Sequence, residues 1–405
     1  MADNKQNTNP NVPNLRFVGY TDEWELKELQ NIATLSKGSG ISKEQLSENG
    51  TPCILYGELY TKYKSEIISE VYSKTELDTS NLVESIENDV IIPCSGETAI
   101  DISTARCVPF NGILLGGVLN IIRLKNHNGG FFAYQLNGKR KVDIAKVAQG
   151  VSVVHLYGEH LKRVKVSYPT YSEQTKIASF LSLLDERIAT QSKIIEDLKK
   201  LKVAICNRLL NNKTLLNKTA PLSNFGELKN GYAFKSSTYV PNGNYNIITI
   251  ANVSGDREIV TDSCNTILSV PIDIQSHQIL KSGDILISLT GNVGRVSLNK
   301  GNNNLLNQRV GLFVPNNSIS AEFIYQSLSF VQFENSMINL AQGAAQMNIG
   351  KGDIESYQIR YSDNQQLINS ISRILLDYDI KIEIENKYLQ SLLSQKAYLL
   401  SNLFI

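Results

Sequence analysis

Polar loop residues able to bond base edges are the chemistry this 405-residue chain displays most plainly. Arg makes paired hydrogen bonds to guanine, and Asn or Gln to adenine, in the major groove of DNA. Thr290-Gly291-Asn292-Val293-Gly294-Arg295 follows a β-like run directly and ends in Arg, while Asn307-Gln308-Arg309 precedes another such run. In Gln342-Gly343-Ala344-Ala345-Gln346-Met347-Asn348-Ile349, Gln346 and Asn348 stand among small residues that permit close backbone approach. The first half offers Ser95-Gly96-Glu97-Thr98, the basic Lys139-Arg140-Lys141, and Gln149-Gly150-Val151-Ser152 leading to His155. Lys37, Lys43, Lys235 and Lys351 are candidate phosphate contacts, which position a protein on a duplex without reading it.

Catalytic signatures are missing from the sequence. No GxxxxGK[ST] run is there to cradle phosphates and no HExxH helix to hold zinc, and His127, His155, His160 and His277 lack ligand spacing. Asn9-Pro10-Asn11 falls short of the (Asn/Asp)-Pro-Pro-aromatic turn an amino-methyltransferase needs. Glu385-Asn386-Lys387 behind Asp377 or Asp379 imitates a nuclease pattern but sits in a helical stretch. The expectation is a chain that catalyses nothing and holds no metal or cofactor of its own.

These loops need a frame, and the frame is duplicated. Leu29 to Gly38 aligns with Leu222 to Gly231, an offset of 222 − 29 = 193. Asn88-Asp89-Val90-Ile91-Ile92 with Ser95-Gly96 matches Gly283-Asp284-Ile285-Leu286-Ile287 with Thr290-Gly291, and Ala148-Gln149-Gly150 matches Ala341-Gln342-Gly343. Leu183-Leu184-Asp185 answers Leu375-Leu376-Asp377. A period this long is no solenoid, whose units run about 20 to 50 residues. The loops recur at matching places with different side chains, as two readers of different sequences would require.

Each module closes in a heptad-spaced stretch free of Gly and Pro. The first seam is Ile177, Leu181, Leu184, Ile188, Gln191, Ile195 and Leu198, and the second is Ile371, Leu375, Tyr378, Ile382, Glu385, Leu389 and Leu392. Residues 172–210 would make a rod of roughly 58 Å. Two such rods are expected to be each other's partner, with Gln191 and Glu385 as polar seam positions that fix register. Short β-like runs punctuated by Gly and Asn make each first part a strand-rich mixed globule.

Composition narrows the class further. With 42% apolar and 20% charged residues the chain is an ordinary globular one, and 40 Lys plus Arg against 39 Asp plus Glu give a net charge of +1, so any basic surface is local. Five cysteines without a CxxC pair argue against a disulfide scaffold or zinc ribbon and for the cytoplasm. The polar opening has no signal-peptide pattern, and Ile113 to Ile122 is too short to span a membrane.

Taken together, the chain resembles the DNA-specificity (S) subunits of type I restriction-modification systems. The likeness rests on the opening Pro13-Asn14-Leu15-Arg16-Phe17 with Trp24, the strand and turn Ile285 to Gly294, and the loop Gln342 to Gln346. It also includes the helix openings Ser172 to Ala178 and Asp363-Asn364-Gln365-Gln366, in the order globule, helix, globule, helix. The first half departs by having Cys94-Ser95-Gly96-Glu97-Thr98 in place of Thr-Gly-Asn-Val-Gly.

The resemblance implies an α+β fold in which two mixed α/β target recognition domains are separated by two long helices paired as an antiparallel coiled coil, with an internal pseudo-two-fold. The expected division is 1–13 disordered tail, 14–169 first recognition domain, 170–212 central spacer helix, 213–362 second recognition domain and 363–405 C-terminal spacer helix. It implies double-stranded DNA as ligand. It further implies methyltransferase (M) subunits carrying S-adenosylmethionine and translocase-nuclease (R) subunits using ATP and Mg as partners. The alternatives are a fused methyltransferase or nuclease, and a coiled-coil adaptor.

Overall fold

The computed structural model describes residues 11–150, 153–342 and 347–405. Two compact units emerge, residues 1–192 together with 387–405, and residues 193–386. The long helices α1 (Tyr171–Leu210) and α2 (Gln365–Asn402) each contribute a part to both.

In the first unit, β1 (Ala33–Lys37), β2 (Asp89–Pro93), β3 (Arg106–Val108) and β4 (Leu119–Leu124) form an antiparallel sheet in the order β1-β4-β2-β3. Every residue of β2, Asp-Val-Ile-Ile-Pro, is buried, which suits a β-branched run covered on both faces. A smaller mixed sheet joins Leu46–Ser47, Ser73–Thr75, Thr51–Ile54 and Leu114–Leu115, the last two parallel. Glu25–Glu28 pairs with Lys165–Tyr168 as a ribbon. The helix Gly129–Asn137, capped by Asn128 accepting from the Phe131 amide, carries Phe131, Phe132 and Tyr134 into the core.

The second unit repeats this plan. Its β5 (Gly226–Asn230), β6 (Ile285–Ser288), β7 (Val296–Leu298) and β8 (Val310–Pro315) lie in the order β5-β8-β6-β7, again antiparallel throughout. Tyr245–Ile248 and Asn304–Leu306 are the parallel neighbours of its smaller sheet, and Lys218–Pro221 with Gln358–Tyr361 is its ribbon. One pair of glycines shows why the repeat kept certain letters. A Cβ on Gly38 would stand 2.2 Å from the Gly116 carbonyl oxygen, and one on Gly231 would stand 2.1 Å from that of Asn307. Only a residue without a side chain lets those two backbones touch.

The heptad stripe is buried in two directions. In the first unit Ile177, Leu181 and Leu184 share one core with Trp24 and Phe131 of the globule and with Leu392, Leu399 and Phe404 from the end of the chain. The helices run antiparallel there, for Asp185 faces Lys396 while Arg187, farther along α1, bonds Tyr388, earlier on α2. In the second unit Lys202 meets Asp379 at 2.5 Å, and Cys206 and Leu210 share a core with Leu375, Ile371 and Ile368. That is again an antiparallel run. Ile188 and Leu198 are half-buried, as are Tyr378, Ile382 and Leu389, whereas Ile195 is buried. Gln191 is buried in the first unit, and Glu385 pairs with Lys381 in the second.

A buried polar cluster ties the helices together in each unit. Lys396 Nζ lies 2.6 Å from both Asp185 and Glu66, and 5.8 Å from the Tyr134 ring centroid. Lys202 and Asp379 stand in the corresponding places, with Asp379 also accepting from Arg257 at 3.2 Å and from Gln326 at 2.7 Å. The geometric partner of Asp185 is therefore Asp379, not the Asp377 that the Leu-Leu-Asp match suggests. Asp377 is exposed, since two residues on a helix turn a side chain to another face.

Burial and the neighbouring Glu66 push the Asp185 carboxyl up to about 6. A carboxyl raised on folding contributes stability that is fully present below its unfolded value of about 3.9 and is lost as pH rises through about 6. Glu66, though buried, is drawn below its ordinary value by Lys396 and opposes this in part. The stability advantage of the wild-type chain over Asp185→Asn should therefore shrink between about pH 4.5 and 6.5. Urea melts at the two pH values check it, and an advantage that grows would contradict the assignment.

Candidate nucleic-acid interface

Each unit gathers its loops at the end of an interior strand of its main sheet, and equivalent hydrogen bonds do it twice. After β2, the Cys94 amide donates to the Val118 carbonyl at 2.8 Å and the Leu156 amide to the Cys94 carbonyl at 2.7 Å. After β6, the Leu289 amide donates to the Arg309 carbonyl at 3.0 Å and the Ile349 amide to the Leu289 carbonyl at 2.9 Å. The strand-like pairing Ser95–Gly96 with Val154–His155 in the first unit is answered by the bridge Thr290 to Asn348 in the second. Loops about 60 residues apart in sequence thus meet at one tip, held by backbone groups that must be satisfied whatever the side chains are.

At the first tip Ser95 and His155 are directly opposite each other, and Glu97, Thr98 and His155 are exposed. Thr98 caps the turn Ala99–Ile102, accepting from the Asp101 amide at 3.1 Å while its hydroxyl donates to the Asp101 carboxylate at 2.6 Å. Tyr157 lies beside His155, with ring centroids 6.1 Å apart. At the second tip Asn292, Gln308, Arg309 and Asn348 are exposed. Among the described residues the Arg309 guanidinium has no ion pair, leaving its donors available for an external acceptor.

Other predicted residues have different surroundings. Arg295 is half-buried and donates to Glu334 at 3.3 Å. Asn307 is buried, and its side-chain oxygen accepts from the Arg309 amide at 3.1 Å, so it shapes the turn that presents Arg309. Arg140 bonds Asp143, Ser167 and the backbone carbonyl of Ile405, with Lys139 exposed beside it. Lys37, Lys43 and Lys235 are exposed, and Lys351 pairs with Glu355 at 3.4 Å. Lys37 is in register with Asn120 of β4, two residues from the Val118 whose carbonyl accepts from Cys94. Ser152, Gln346, the loop residues Gly343 to Ala345 and the tail residues 1–10 lie outside the described residues.

The sequence reading passed over Tyr56, Tyr60 and Val118. All three line one cavity, and burial with the charge of Tyr56, Glu97 and Asp101 pushes the Tyr60 hydroxyl up. The available signal was positional: Gly116-Gly117-Val118 precedes β4 as Asn307-Gln308-Arg309 precedes β8.

Among the described residues no cluster of three metal-ligating side chains occurs, and no helix is long and apolar enough to cross a membrane. The sequence model of the type I restriction modification DNA specificity domain matches residues 21–200 and again 217–394. The type I restriction enzyme MjaVIII specificity subunit of Methanocaldococcus jannaschii is 22% identical over 360 residues, spanning 83% of this chain and 81% of the relative. The fold is similar to that of the type I restriction-modification S subunit from M. genitalium, with a TM-score of 0.62 at 18% identity over 97% of this chain and 99% of that one. It is also similar to a chain from a structural study of complex assembly and conformational transition in the type I restriction-modification system, with a TM-score of 0.54 at 14% identity over 93% and 96%. With the domain matched twice over most of its length, the chain belongs to the type I restriction-modification DNA specificity family, as a non-catalytic specificity subunit.

Proposed function

We propose that this chain reads a split double-stranded DNA sequence, one part with each tip, and so directs adenine methylation or cleavage that partner subunits perform. The observation that carries this reading is the pair of tips, built by equivalent backbone bonds yet armed with different side chains. Phosphate contacts from Lys37, Lys43, Lys139, Lys235 and Lys351 would position the duplex, while the tip side chains read it. M subunits carrying S-adenosylmethionine would dock on α1 and α2, and R subunits would supply ATP- and Mg-dependent translocation and cutting. The seam residues, through the length and register of the two helices, would set the gap between the two parts of the target. Five free cysteines suit a cytoplasmic setting.

The complex reconstituted with its M subunits should enrich a motif of two short sequences with a fixed gap from randomised duplexes. Arg309→Ala should relax preference in one of the two parts only, at about 1 to 3 kcal/mol per lost paired contact. An adaptor would enrich no split motif, and turnover by the purified chain with S-adenosylmethionine, Mg and DNA would favour the fused enzyme.

A further inference from the structure

The two tips share a frame but not a readout chemistry, and the difference is sharpest at one position. The bonds Cys94 to Val118 and Leu289 to Arg309 place Val118 where the second unit has Arg309. Gly116 and Gly117 stand where it has Asn307 and Gln308. Both glycines lie tight against neighbouring backbone. A Cβ on Gly116 would lie 3.1 Å from the Ile54 carbonyl oxygen, and one on Gly117 would lie 3.2 Å from the Gly40 backbone.

The space left above that bare backbone is a cavity of about 870 Å³, walled by Val118, Leu55, Tyr56, Tyr60 and Ile41. It adjoins the predicted reading edge, because its wall residue Val118 accepts from the amide of Cys94, the residue before Ser95. Its cation Lys62 is already held by Glu58 at 2.6 Å and Ser73 at 2.9 Å. The rest of the lining is mostly aliphatic and aromatic, with Ser42, Gln45 and Thr61 as neutral polar groups and the exposed Lys43 as its other cation. Of the four bases in the major groove, thymine alone presents an apolar group, its C5-methyl, and apolar side chains are what recognise it.

Resting on the DNA-reading function above, we propose that the cavity mouth at Val118, Tyr56 and Tyr60 is a thymine-edge site that seats a C5-methyl group in the half of the target read by the first unit. Lys43 is placed to hold the adjoining phosphate.

The test uses the unaltered chain in its reconstituted complex. Once the split motif is mapped, and Arg309→Ala has marked the half read by the second unit, each thymine of the other half is replaced by deoxyuridine, which removes only the methyl. At least one replacement should weaken binding about fourfold, the worth of one buried methyl. Val118→Arg should abolish that sensitivity and shift the same position toward guanine. A first half without thymine, unchanged binding at every deoxyuridine, or sensitivity that survives Val118→Arg would each overturn the proposal while leaving the split-target reading intact. Failure to enrich any split motif would instead remove the reading on which it rests. Should Val118→Arg fail to fold, the deoxyuridine series on the unaltered chain decides alone.

Discussion

Lys396→Met is expected to destabilise the first unit by about 3 to 5 kcal/mol, the cost of leaving buried carboxylates without their cation. Asp185 and Glu66 have side chains only 6% and 9% exposed, and both reach Lys396 at 2.6 Å. Methionine keeps the length of the stem over Tyr134 and removes only the charge, so lost packing contributes little. The counterpart change, Lys202→Met, should cost less, on the order of 1 to 2 kcal/mol, because Asp379 keeps Arg257 and Gln326. Trp24 is the only tryptophan of the chain and sits 3% exposed in the first core, so its fluorescence in a urea titration reports that unit selectively. Equal losses for the two lysines, or a fluorescence midpoint unmoved by Lys396→Met, would contradict the buried-cluster account.

Gly231→Ala should cost about 3 kcal/mol and strike the other unit, since overpacking against rigid backbone has little room to relax. Its Cβ would meet the carbonyl oxygen of Asn307 at 2.1 Å and the carbonyl carbon at 2.3 Å, and neither belongs to a flexible side chain. The strain falls on the turn that presents Gln308 and Arg309. Circular dichroism should therefore show an earlier transition while the Trp24 signal keeps its midpoint. Gly352→Ala is the control, with nothing within 4 Å of its Cβ and a place inside the short helix Lys351–Glu355. Exchange there should be neutral or stabilising by about 0.5 to 1 kcal/mol. Comparable losses at 231 and 352 would mean that the close approach is not what keeps glycine at 231.

Local signals carried much of this architecture. The run Gly283 to Ile287 and its counterpart Asn88 to Ile92 were readable as buried strands because β-branched residues in a short block have few other uses. The heptad stripe foretold α1 and α2 because 3.5-residue spacing is visible along one stretch. What stayed hidden depends on partners distant in sequence. Glu66 and Lys396 are 330 positions apart, and neither letter announces the other. Asn307 reads like a base contact until the fold buries it in the turn beneath Arg309. Arg140, chosen for its basic neighbours, bonds the backbone of Ile405. Val118 escaped notice because a valine between glycines and a strand carries no polar chemistry, and only the shared backbone bonds equate it with Arg309.

The first unit is discontinuous, closing its core with Leu399, Leu403 and Phe404, and this bears on how a nascent chain acquires its shape. Domains ordinarily mature in the order in which the ribosome releases them. Here that order is inverted: residues 193–386 are contiguous and can consolidate as they emerge, whereas the earlier-made half must wait, partly open, until residues 387–405 have left the exit tunnel. A stop before codon 399 would thus injure the portion translated first.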